Sequence, residues 1–195
     1  MDQVTNILLV GVGGQGTILV GKILSAGLIK AGYDVKMSEV HGMSQRGGSV
    51  STHVRFGRKV HSPIMGLGEA DILVSFEIME AWRWMEYLKS SGKVVINDYR
   101  IPSAPILSGK TDYPEGIAER IGSKADTVVI RAAEIAELVG NPRTMNIVLF
   151  GALVQLIGLT DIDWESVIRE EIKPTLVEVN LKALNAGMEA AKNHH

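Results

Sequence analysis

The stretch NILLVGVGGQGTILVGKIL, residues 6–24, leaves the chain few ways to begin a fold. Residues 6–12 are an apolar run of strand length, suited to a central parallel strand buried on both faces. Residues 17–32 come next with helical spacing and stop at Gly32. Between them, GVGGQG (11–16) matches GxGxxG through Gly11, Gly13 and Gly16. A strand that turns on glycines straight into a helix brings backbone amides and the helix N-terminus close enough to seat a pyrophosphate. Gly11, Gly13, Gly14, Gln15 and Gly16 are therefore the candidate cofactor-binding loop. The same glycines serve equally for a sharp turn and close helix–strand packing.

The rest of the chain continues the alternation. YDVKMSEV (33–40) reads as a second strand, completing a βαβ opening, with Glu39 where a ribose-binding acid would sit. SVSTHVRFG (49–57) alternates, with Val50, Thr52, Val54 and Phe56 on one face. A turn and short return strand are expected over GRKVHSPIMG, then a strand at 71–77, a helix through MEAWRWMEYLKSS and a strand at 92–100. Pro102 and Pro105 interrupt regular structure after that strand; a helix near 114–122, a strand at 126–132 and a short helix to Gly140 come next. Asn141-Pro142 reads as an N-cap with Pro at the first helical position, opening a helix at 143–158 with little polar face. Two further helices lie around Pro174. The expected fold is α/β: a Rossmann-like open, mostly parallel sheet flanked by helices, with a helical C-terminal part, in one domain over 1–195.

Composition removes several function classes. A net charge of −2 without a basic stripe argues against nucleic-acid binding. The absence of cysteine removes disulfides, thiolate nucleophiles and cysteine-ligated clusters. No basic region precedes the first apolar run, and MNIVLFGALVQLIGL (145–159) is short for a membrane span; the expectation is cytoplasmic, with no membrane partner. His41, His53 and His61 lack zinc-site spacing, so no metal site is expected. Trp82 and Trp84 cannot both face the core from one helix; one is a candidate interface anchor, while a wide buried face is the commoner explanation.

HGMSQRGGSV (41–50) is the least ordinary stretch. Gly42, Gly47 and Gly48 permit close backbone approach to another surface. Ser44, Gln45 and Arg46 then offer a hydroxyl, an amide and a planar cation suited to a carboxylate or phosphate. The position after the second strand fits the crevice at the carboxyl ends of an open sheet. Arg46, Ser44 and Gln45 are the candidate catalytic residues; a solvated loop is the bland alternative.

GVGGQG, HGMSQRGGSVSTHVRFG and NPRTMNIVLFGAL, in this order, give the chain a resemblance to the small-subunit family of the 2-oxoacid:ferredoxin oxidoreductases, nearest its indolepyruvate branch. The resemblance implies a subunit inactive alone. A large subunit would carry thiamine diphosphate and iron–sulfur clusters and pass electrons to ferredoxin, with coenzyme A accepting the acyl group from the 2-oxoacid. It implies no cofactor held by this chain alone, and a loop at 41–55 that completes a site built mainly in the large subunit. The rival reading is a free-standing Rossmann-type NAD(P) enzyme or nucleotide sensor.

Overall fold

The computed structural model describes residues 4–41 and 47–192, with the backbone alone at His41. Its centre is a six-stranded sheet of order β2-β3-β1-β4-β5-β6. The strands are β1 (Thr5–Val12), β2 (Asp34–His41), β3 (Ser49–Gly57), β4 (Ala70–Ser75), β5 (Leu88–Asn97) and β6 (Asp126–Ile130). β1, β4, β5 and β6 pair in parallel, while β3 is antiparallel to both β1 and β2. Two reversals cancel, so β2 runs with β1, and β3 alone opposes the rest.

The β1–helix–β2 crossover expected from the sequence is present, through α1 (Thr17–Lys30), but β1 and β2 are not neighbours. β3 lies between them. The reason is chain length: residues 42–48 are too few for a crossover, so β2 and β3 can only return antiparallel. The alternation in β3 holds as read. Val54 and Phe56 join the core cluster that contains Val20, Ile23 and Leu24 of α1, and Thr52 packs its methyl against Gly21.

Two cores flank the sheet. The smaller joins Leu8, Val10, Leu73, Val94 and Ile96 to α2 (Ile78–Arg83) and α4 (Ile117–Gly122). The larger joins the opposite face to α1, α5 (Ala132–Val139), α6 (Met145–Leu156), α7 (Trp164–Glu171) and α8 (Val177–Lys192). Helix α6 is apolar all round because it is covered all round. Residues Asn146 to Val154 are buried, and α8 lies on its outer side. Gly151 and Gly187 let the two backbones touch: a Cβ on Gly187 would stand 1.9 Å from the Val148 carbonyl oxygen, and one on Gly151 2.1 Å from that of Leu184. The width of its apolar face is thus used within the chain.

Local readings held unevenly. Asn141 caps as expected, its side-chain oxygen accepting the Arg143 amide at 3.0 Å, with a 3-10 turn at Pro142–Thr144 leading into α6. The return strand expected within 57–66 is absent; side chains satisfy that backbone instead. Asp34 accepts from the Val60 amide at 2.9 Å, and Arg55 donates to the Ile64 carbonyl at 2.7 Å. The helix read through residue 91 ends as α2 and a 3-10 turn at Met85–Tyr87, because Leu88 already pairs with Ala70 in the sheet. Pro105 opens a short helix, α3 (Ala104–Leu107), from its first turn, where proline costs no hydrogen bond.

Candidate functional site

The site grows from the glycine turn after β1. Gly14 and Gly16 have φ of 104° and 85°, left-handed values that glycine adopts without strain, and Gly16 opens α1 with no side-chain cap. The first-turn amides of α1 therefore point outward without a capping side chain. Gln15 is occupied inside the turn. Its Oε1 accepts the Val12 amide and its Nε2 donates to the Phe76 carbonyl, both at 2.8 Å. Gly11 makes room for that side chain, since a Cβ there would lie 2.8 Å from Gln15 Oε1. The Phe76 carbonyl also accepts from Asn97 Nδ2 at 3.1 Å, and Asn97 Oδ1 accepts the Ala132 amide at 3.1 Å. A row of side-chain amides, half-buried at Gln15 and buried at Asn97, thus ties together the carboxyl ends of β1, β4 and β5.

The candidate loop residues divide by task. Gly11 and Gln15 shape the turn, while Gly13, Gly14 and Gly16 line a cleft of about 370 Å³ with Thr17, Glu39 and Thr52. Thr17 and Thr52 are buried, at 4% and 1% exposed. Asn146 of α6, 7% exposed, occupies the space beside Gly16: a Cβ on Gly16 would stand 2.4 Å from its Nδ2. These three polar residues were not among the sequence candidates. An amide near the start of an apolar helix was a usable signal for Asn146; for the threonines there was none.

Ser44, Gln45 and Arg46 lie outside the described residues. The chain on their far side is placed. Gly13 donates its amide to the Gly48 carbonyl at 2.9 Å and accepts the Gly47 amide at 3.4 Å, extending the β1–β3 ladder past its last pair, Val12 with Ser49. The two glycine segments singled out in the sequence are therefore joined to each other. Electrostatically the cleft is unfinished: among the described residues lining it, Glu39 is the one charged group and no cation is present. Amides and a helix dipole favour an anion by only ~0.3–1 kcal/mol per exposed charge, and Glu39 opposes it.

His53 on β3 is 3% exposed, and its Nδ1 accepts the Met65 amide at 3.3 Å. Burial, and next the charge of Arg55, hold its pKa below the ordinary 6.5. Trp84 is half-buried, while Trp82 is exposed beneath the Lys124 ammonium, 4.9 Å from its ring centre. No helix among the described residues is long and apolar enough to cross a membrane.

The profile of the family described as pyruvate ferredoxin/flavodoxin oxidoreductase matches residues 6–190. The chain belongs to that family. Among its relatives, the indolepyruvate oxidoreductase subunit IorB of Thermococcus kodakarensis is 40% identical over 195 residues and 96% of each chain. Solved structures share the fold. The gamma subunit of a keto/oxoacid ferredoxin oxidoreductase from Geobacter sulfurreducens superposes with a TM-score of 0.72 at 24% identity, covering 97% of this chain and 99% of that one. A 2-oxoglutarate:ferredoxin oxidoreductase from Magnetococcus marinus gives 0.78 at 20% identity, with 99% of this chain matching 32% of that chain. The glycine turn and its clamp to Gly47 and Gly48 fall inside the matched family region.

Proposed function

We propose that the chain is the small subunit of a 2-oxoacid:ferredoxin oxidoreductase of the indolepyruvate type, working as one unit over 1–195 in the cytoplasm. Its task is to complete a site built mainly by a large subunit. The observation that carries this is the clamp between Gly13 and the Gly47-Gly48 pair, beside a cleft with no cation among the described residues that line it. A cleft of amides and buried hydroxyls fits a phosphate ester in shape, but needs a positive group to hold one firmly. Arg46 stands in sequence directly before the clamp, and is the group assigned to that task, with Ser44 and Gln45 offering neutral hydrogen bonds beside it.

Coenzyme A, present in the solved relative from Magnetococcus marinus, is the phosphate-bearing ligand proposed for the cleft. Gly14 and Gly16 would present amides, Gly13 a wall without a side chain, and Thr17, Thr52 and Asn146 their side chains. Thiamine diphosphate supplies the carbanion chemistry of decarboxylation, and clusters carry electrons to ferredoxin; both are assigned to the large subunit. A chain without cysteine has no thiolate to ligate a cluster. Indolepyruvate is proposed as the 2-oxoacid on the strength of the relatives named for it.

The NAD(P) reading fares worse. The insertion of β3 moves Glu39 one strand spacing, roughly 4.8 Å, away from its place beside β1 in a dinucleotide fold. The test is to express the chain with its large subunit and assay indolepyruvate-dependent reduction of ferredoxin, each subunit alone and both together. Activity confined to the mixture is expected. Full activity of the large subunit by itself would overturn the proposal.

A further inference from the structure

Glu80 of α2 is 3% exposed, and its carboxylate is saturated with donors. Oε2 accepts the Ser49 hydroxyl and the Trp84 indole N–H, the latter at 3.2 Å; Oε1 accepts Arg83 Nε at 3.0 Å. The Trp84 N–H also reaches Ser49 Oγ at 3.2 Å. A buried carboxylate persists only with such a set of donors. What matters is where the set is fastened. Helix α2 is already held by Ile78 and Ala81 in the core and by Glu77, whose carboxylate caps the Glu80 amide at 3.0 Å. The bond to Ser49 adds nothing that α2 needs.

Ser49 does need it. This residue is the first of β3, paired with Val12 as the last rung of the β1–β3 ladder. Beyond it the chain is Gly48 and Gly47, held by two backbone bonds to Gly13 of 2.9 and 3.4 Å. Glycine surrenders more backbone freedom than any other residue on becoming ordered, so a run of glycines at a ladder's end is prone to open. A side-chain anchor on the adjacent rung, gripping the strand from the face opposite α1, counters that tendency.

We propose that Glu80 is a positioning residue: acting through Ser49, it fixes the junction of the two glycine segments and so the geometry of the composite site. The proposal rests on the reading of that junction as part of the site. Ser49→Ala removes the link while leaving the Trp84 and Arg83 bonds to Glu80 in place. In the full chain, amide exchange at Gly13 should speed by roughly tenfold in this variant, the scale of one charge-assisted hydrogen bond, with Val54 and Phe56 unchanged. In the assembled enzyme kcat should fall by roughly tenfold with KM little changed, and Ser49→Thr should restore both readouts. Glu80→Gln, which keeps an acceptor but loses the charge, should fall between. Wild-type Gly13 exchange and wild-type kcat in Ser49→Ala would overturn the proposal. Arg46→Ala in the same assay separates the two readings. If it is impaired while Ser49→Ala is not, the positioning role falls alone; if neither is impaired, the site reading falls with it.

Discussion

Arg46 and His53 show how differently one side chain can matter. A desolvated, charge-assisted pair between Arg46 and an anionic ligand group is worth ~1.5–3 kcal/mol, so Arg46→Ala should lower kcat/KM by roughly one to two orders of magnitude. Arg46→Lys should restore little, because it keeps the charge but not the planar fork. The control is that the variant still assembles with the large subunit; an assembled Arg46→Ala enzyme turning over at the wild-type rate would exclude Arg46 from the site. His53 acts on stability instead. Its folded-state pKa lies below 6.5, near which the unfolded chain takes up its proton. Below 6.5 the unfolded state therefore holds more protons, and stability falls as pH falls toward the folded value. A urea midpoint that is level above that pH and declines beneath it is expected, with a shallower decline in His53→Gln. Equal slopes for both proteins would show that other groups carry the effect.

At the scale of elements, the contact between α6 and α8 is the least forgiving. Gly187→Ala places a methyl 1.9 Å from the Val148 carbonyl oxygen, and that oxygen is backbone inside a buried helix. Alanine's helix preference returns about 1 kcal/mol, against overpacking that costs up to about 3 kcal/mol and sometimes more. A net loss of roughly 2 kcal/mol is expected in denaturant unfolding; Gly122→Ala, where a Cβ meets nothing within 4 Å, should be close to neutral. An undiminished midpoint for Gly187→Ala would mean that the helices can part cheaply. These elements also mark what the sequence discloses. β1, the glycine turn, α1 and the Asn141 cap were legible because each is dictated by neighbours along the chain. The place of β3 was not, since alternation specifies a strand's faces and leaves its partners open. Nor was the meeting of Gly16 with Asn146, or of Glu80 with Ser49, for no local pattern records contacts across so much intervening chain. Of the site, the glycines could be read directly, and their junction could not.

For the whole molecule, the glycine turn invites a dinucleotide that the sheet around it does not favour. The purified chain should show no micromolar binding of NAD or NADP by calorimetry; such binding, abolished by Glu39→Ala, would reinstate the rival reading. The strand that displaces Glu39 has another effect, on the order of events during folding. β1 emerges first in the chain yet can pair on that side only with β3, so its early neighbour in sequence, β2, cannot join it directly. β2 and β3 form a hairpin of short sequence separation, which is expected to close first and then dock onto β1 as a preformed ribbon. Substitutions at the β2–β3 seam, such as Met37→Ala opposite Val54, should then slow folding, while equally destabilising changes between β5 and β6 should mainly speed unfolding. Since the Gly13–Gly48 bond continues the β1–β3 ladder, the junction of the glycine segments is expected to form only once β3 has docked on β1.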